Sequence, residues 1–137
     1  MVFNADFVVR SMRPAVIVAA VAVLAGCAAV APDTRPPEEV VKARAQARWD
    51  ALLKEDFTTA YSYLGPGSRA VNSLDAYKAA VRRNFYKAAQ VATVTCETAD
   101  SCFVDVRVEY VFRGSRIKTP LGETWIKQDG NWWYVLK

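Results

Sequence analysis

The sequence predicts an α+β fold in which three helices precede a four-stranded antiparallel meander and pack on one of its faces. Apolar residues recur at helical spacing from Val41 to Val81, and after about Ala88 the period shortens to two. Two hairpin signals, Gly114-Ser115 and Asp129-Gly130, divide the second half into strands. The chain has 137 residues, 53% hydrophobic and 23% charged, with six Gly and six Pro, which fits one globular domain and excludes disordered or collagen-like chains. It contains no His, so His-based triads, His-carboxylate dyads and His-ligated metal sites are excluded at once.

Residues 1–26 read as a leader. Arg10 and Arg13 form a basic region ahead of the apolar run Ala15 to Ala25, a length usual for signal peptides. Extended through Cys27 to Ala31 the run reaches 17 residues, short of the roughly 20 a spanning helix needs. The segment ends Leu24-Ala25-Gly26-Cys27, which resembles the lipobox of bacterial lipoproteins. That resemblance implies cleavage before Cys27, a diacylglyceryl thioether on its sulfur and an acylated amine, and hence attachment to the cell envelope. Ala28, where Asp tends to mark inner-membrane retention, implies transfer to the outer membrane, facing the periplasm. Without Arg10, Arg13 and Asp6 the balance is 16 basic residues to 13 acidic, a net +3. No Lys/Arg block exceeds two residues, so nothing points to nucleic acid.

Residues 27–35 then form the lipidated Cys and a short tether, reaching roughly 28 Å at most. The domain proper occupies residues 36–137. Asp33 or Thr34 caps the first helix, Pro36 and Pro37 suit its first turn, and Glu38 and Glu39 favour its positive end. Val41, Ala45, Trp49, Leu52 and Leu53 form its apolar stripe. A second helix runs from about Asp56 to Leu64, burying Phe57, Ala60, Tyr61 and Leu64, and Gly65-Pro66-Gly67 stops it. Ser73 caps a third, which carries Leu74, Tyr77, Ala80 and Val81.

Val91 to Cys96 reads as a β-branched strand, and Cys102 to Phe112 as a long alternating one. Val104, Val106, Val108, Tyr110 and Phe112 share one face; Asp105, Arg107, Glu109 and Arg113 take the other. If Cys27 is lipidated, Cys96 and Cys102 remain as a pair, and a structural disulfide is expected of an exported protein. Setting them opposite each other places Val94 against Val104 and Ala92 against Val106. A redox-active pair or a thiolate metal site are the alternatives; two Cys without His are too few for closed zinc, and no metal or other cofactor is expected.

Asp56 to Tyr61, then Leu64 to Arg69 and Tyr77, are similar to the "D-x-x-x-A-Y…L-x-P-x-x-R" start of nuclear-transport-factor-2-like (cystatin-like) domains. Trp125 to Val135 is similar to their closing "W-x-K-x-D-G-x-W-x-V" hairpin. The resemblance covers roughly Val40 to Leu136 and implies a cone, a curved sheet wrapped on the long first helix with a pocket at its mouth. It also implies a tendency to form a homodimer through the sheet. A cystatin-like inhibitor fold is the competing reading.

Enzymes of that family use Asp/Tyr or His-Asp arrangements, and the second cannot exist here. With Gly114-Ser115 as the turn, Tyr110 faces Thr119, Val108 faces Leu121 and Val106 faces Glu123. Glu123 then points into the cavity, where a carboxylate and a phenol such as Tyr110, Tyr61 or Tyr77 make the candidate catalytic set. A bulge near Pro120 to Gly122 would instead turn Glu123 outward, and an inward Glu123 could simply pair with Arg48, Arg69 or Arg82. Trp125, Trp132, Trp133 and Tyr134 cluster on the last hairpin. Either Trp132 and Tyr134, or Trp133 and Val135, should face a ligand, a partner, the membrane interface or a covering part of the chain. The expected function is a non-enzymatic envelope lipoprotein that binds a hydrophobic small molecule or docks on an envelope protein. The alternative is a small isomerase, dehydratase or hydrolase using Glu123 and a Tyr.

Overall fold

The computed structural model describes residues 33–81 and 85–137. These fall in one compact unit, Ala31–Lys137. The expected leader, the Leu24-Ala25-Gly26-Cys27 segment and most of the expected tether lie outside the described residues. The fold is α+β, with four helices and one four-stranded sheet: α1 Pro37–Leu53, α2 Phe57–Ser62, α3 Pro66–Val71, α4 Leu74–Ala80, β1 Tyr86–Thr98, β2 Ser101–Phe112, β3 Ser115–Gln128 and β4 Asn131–Val135. The sheet is an antiparallel meander in the order β1-β2-β3-β4.

The helices follow local chemistry, with two corrections. Pro36 occupies the cap position of α1 and no side chain caps it. Asp33 instead accepts from the Arg35 backbone N–H and guanidinium, and this pairing lowers its carboxyl pKa to about 2. The stripe expected on α1 is buried except for half-buried Leu53, and Val40, Arg48 and Ala51 are buried with it. Glu55, at φ 57°, ends that segment, and the Asp56 carboxylate caps α2 by accepting from Thr59 N–H. The second correction is α3, a fourth helix where a plain stop was expected. Pro66 cannot continue α2, but at the first helical position its missing N–H costs nothing, so it starts a new turn. Ser73 caps α4 through the Ala76 N–H at 3.2 Å.

Hairpin chemistry sets the sheet register. Arg113 (φ 48°) and Gly114 (φ 82°) both lie in the left-handed region, the pattern of a type I′ turn, with Gly at its second position. The loop is therefore Arg113-Gly114 and not Gly114-Ser115, and Phe112 pairs with Ser115. Moving the turn by one residue moves the register by two, which leaves every side chain on its expected face. Tyr110 pairs with Ile117, Val108 with Thr119, Val106 with Leu121 and Val104 with Glu123. In the first hairpin Cys96 pairs with Cys102 and Val94 with Val104, but an irregularity between Val91 and Thr93 sets Val91, not Ala92, against Val106.

The core lies between α1 and the inner sheet face, where Val41, Ala45, Trp49, Val104, Val106, Val108 and Trp125 are buried. Both sheet edges are managed. At β1, the Gln46 carboxamide accepts from Val91 N–H at 2.9 Å and donates to Ala89 O at 3.3 Å. At β4, Gly65 N–H donates to Tyr134 O and Tyr134 N–H donates to Tyr63 O, so the chain between α2 and α3 covers the last strand. Cys96 and Cys102 form a disulfide next to the β1–β2 turn. Among the described residues no helix is long and apolar enough to cross a membrane.

Candidate functional site

Glu123 sits on β3 opposite Val104, and that register turns its carboxylate onto α1. It is 1% exposed, and Arg48, one turn before the end of the α1 stripe, is 4% exposed. Oε1 accepts from Arg48 Nη1 at 2.6 Å and from Trp49 Nε1 at 2.8 Å; Oε2 accepts from Trp125 Nε1 at 3.0 Å. Three of roughly four acceptor positions of the carboxylate are thus filled by donors fixed in helix and sheet. A buried carboxylate requires such partners, since an unpaired one would carry a desolvation cost of several kcal/mol.

Arg48 is held as firmly. Its guanidinium stacks on Tyr134, 3.8 Å from the ring centroid, and lies 5.4 Å from that of Trp49. Burial is the largest single influence and works against its charge, but the facing Glu123 carboxylate together with Tyr77 and Tyr134 outweighs it and keeps the pKa above the ordinary arginine value. Burial pushes the phenols of Tyr77, Tyr134 and Tyr86 up, with Arg48 opposing in each case. Among the described residues, Arg48 Nε and the Tyr77 hydroxyl are buried polar atoms without a hydrogen-bond partner.

A cavity of about 280 Å³ opens beside this pair. Its wall is mostly apolar, with Leu52, Val81, Phe85, Tyr86 and Leu121, while Arg48 and Glu123 supply the polar part. A more spacious hollow, about 920 Å³, lies elsewhere, on the outer sheet face among Gln90, Asp105, Arg107, Glu109 and Lys118. Among the described residues no group of three or more Cys, Asp or Glu side chains could hold a metal ion.

Of the candidate phenols, Tyr77 is buried close to Arg48 and Glu123, but the structure does not bring Tyr110 or Tyr61 to that carboxylate. Tyr110 lies six residues along β2 from Val104, the partner of Glu123, a separation of about 20 Å. It stacks on Phe85 instead, at 4.8 Å between centroids. Tyr61 donates to Asn72 O at 2.6 Å. Nor do the four aromatics of the last hairpin form an uncovered face. Trp125 and Trp132 are buried, because β4 pairs with β3 in a register that turns Trp132 and Tyr134 toward α1. Trp133 is on the opposite face, but Gly65 lies against its Cβ, and Arg69 and Arg44 lie 5.2 and 5.8 Å from its centroid. The residues missed in sequence were Trp49 and Trp125 as hydrogen-bond donors; their Nε1–H groups had no signal apart from lying on the face that Glu123 also takes.

No family model matches the chain, and no curated protein matches it in sequence. Solved structures do. A SEC-C motif-containing protein from Rhodopseudomonas palustris aligns with a TM-score of 0.56 at 16% identity, over 69% of this chain and 73% of that one. A SEC-C motif-containing protein from Psychrobacter arcticus aligns at 0.60 and 10% identity over 75% of this chain, which spans 62% of that protein's length. A Campylobacter jejuni protein described as an NTF2-like transpeptidase aligns at 0.45 and 19% identity, over 68% of this chain and 94% of that one. The two SEC-C motif proteins share the fold of this domain, and that is the extent of the likeness.

Proposed function

We propose that the chain is a lipid-anchored, periplasm-facing bacterial lipoprotein whose domain, on the nuclear-transport-factor-2-like pattern, binds a small and mainly apolar molecule without chemically changing it. The observation that carries the binding half is the state of Glu123, whose carboxylate is occupied by Arg48, Trp49 and Trp125. A general base needs a free, aimed lone pair, and this carboxylate is committed to holding α1 on the sheet. The Glu/Tyr enzyme reading is disfavoured for that reason and by the distance to Tyr110. The adjoining cavity has apolar side chains along much of its wall, with Arg48 and Glu123 at one end. That combination suits an apolar ligand with one orienting polar group. The Cys96–Cys102 disulfide fits the oxidising compartment beyond the inner membrane.

Native mass spectrometry of the chain extracted from a bacterial envelope tests the binding half. The expected result is a bound molecule of fixed mass that is lost when Leu121→Trp fills the cavity, with the disulfide and helix content unchanged. A cavity equally empty in both forms contradicts it.

A further inference from the structure

We propose that the β2–β3 hairpin tip is a membrane contact, with Val111 and Phe112 seated at the headgroup–acyl boundary of an anionic lipid surface. Four large hydrophobic side chains stand exposed among the described residues: Val71, Phe103, Val111 and Phe112. Val71 is isolated on α3, and Phe103 lies across Gly122, where an added Cβ would meet its ring at 2.5 Å. Val111 and Phe112, at 40% and 56% exposure, are adjacent and end a strand.

They are exposed because the hairpin outruns the helix beneath it. Twelve residues of β2 extend for about 40 Å, against about 26 Å for the seventeen residues of α1. Phe112 has the inward parity of Val104 and Val108, yet none of the described helices buries it. Val111 breaks the polar alternation of the outer face set by Asp105, Arg107 and Glu109. Both faces of the strand are therefore apolar at the apex.

The charge around the apex is one-sided. Arg113, Arg116 and Lys118 follow in sequence, and no acidic residue occurs between Glu109 and Glu123. The Arg113 guanidinium lies 5.3 Å from the Phe112 ring centroid. Arg116 and Lys118 are 74% and 80% exposed, and both reach the same carboxylate, Glu109. Two of these three cations share one anion. An apolar apex with cations in its turn and along β3 matches a layer of apolar chains beneath phosphate groups, where Arg and Lys stems extend upward and their charges stay hydrated. A protruding tip presents neither a groove nor a free sheet edge, so it does not match a folded protein partner as well. The proposed lipid anchor would keep such a surface within reach, and to that extent the contact rests on that reading.

The test places a nitroxide on Ser115→Cys in the full chain carrying Cys27→Ser, with the disulfide intact. Its depth is read by power saturation with oxygen and a nickel chelate. The vesicles are phosphatidylglycerol with phosphatidylethanolamine, or phosphatidylcholine alone. The label reports the tip alone, even if residues upstream hold the chain on the vesicle. The expected result is an oxygen-accessible, nickel-protected label on the anionic vesicles only. Arg113→Asn with Arg116→Gln, the Asn chosen to keep the left-handed backbone, should lower tip insertion about 25-fold, at about fivefold per charge. Phe112→Ser should return the label to water, and Val71→Ser should change nothing. A label that stays aqueous on anionic vesicles overturns the proposal, as does equal insertion into both vesicle types. Mass analysis of the unsubstituted chain separates the two ideas: an unmodified Cys27 with an inserted tip sinks only the lipoprotein reading, and a lipidated Cys27 with an aqueous tip sinks only this one.

Discussion

Glu123→Gln changes almost no volume and removes one charge from the most constrained site in the domain. The amide keeps one acceptor and gains a donor. If its oxygen takes the Oε1 place, facing Arg48 and Trp49, its NH₂ confronts Trp125 Nε1–H, which loses its acceptor. An orphaned buried donor costs about 1–3 kcal/mol, and removing one member of a buried ion pair costs about 3–5 kcal/mol in total. The expected loss is therefore about 3–5 kcal/mol, a large part of the stability of a domain this size. Arg48→Met should cost about as much, since it strands the carboxylate and also removes the guanidinium from Tyr134. The two substitutions remove the same pairing, so the double variant should fall short of their sum by about 2–3 kcal/mol. Urea denaturation of the full chain in mild detergent, followed by tryptophan fluorescence, measures all three. A Glu123→Gln loss below about 1 kcal/mol, or additive singles, would refute the view that this carboxylate is a structural acceptor, and would revive it as a base.

Three further outcomes follow from the same contacts. Replacing both Cys96 and Cys102 by Ala should cost about 2 kcal/mol in denaturant titrations, from the seven-residue loop that the bridge closes. Tyr77, Tyr86 and Tyr134 hold their protons more tightly when folded than when unfolded. Their contribution is therefore complete below the ordinary tyrosine value of 10.0 and is lost as pH rises through the raised values, so stability measured from pH 8 to 11 should fall beyond about pH 10. Gly122→Ala should force the Phe103 ring off the sheet and cost about 1 kcal/mol, and it should cost almost nothing in a Phe103→Ala background.

Much of the fold was legible because its signals are local and repeat. Val104, Val106 and Val108 of β2 alternate with polar residues, and only one face of that strand can be core. The inward turn of Glu123 was predicted through a misplaced loop, and it survived because a two-residue register error preserves parity. A one-residue error, such as the irregularity at Ala92, does not. The extra helix α3 was hidden because Pro66 reads equally as a stop for one helix and a start for the next. The site was less legible for a chemical reason. Trp49 and Trp125 enter a pattern as bulk apolar residues, and only their three-dimensional placement shows that both indole N–H groups converge on one carboxylate. Tyr110 looked suitable by face, but distance along the strand separates it from Glu123, and face patterns carry no information about that.

The proposed lipid anchor of this domain depends on the sulfur of Cys27. Intact mass and terminal-peptide analysis of the chain recovered from a bacterial envelope addresses it directly. The account predicts a chain beginning at Cys27, carrying a diacylglyceryl group on sulfur and an acyl group on nitrogen. A chain that still begins at Met1 with an unmodified Cys27 thiol would contradict it.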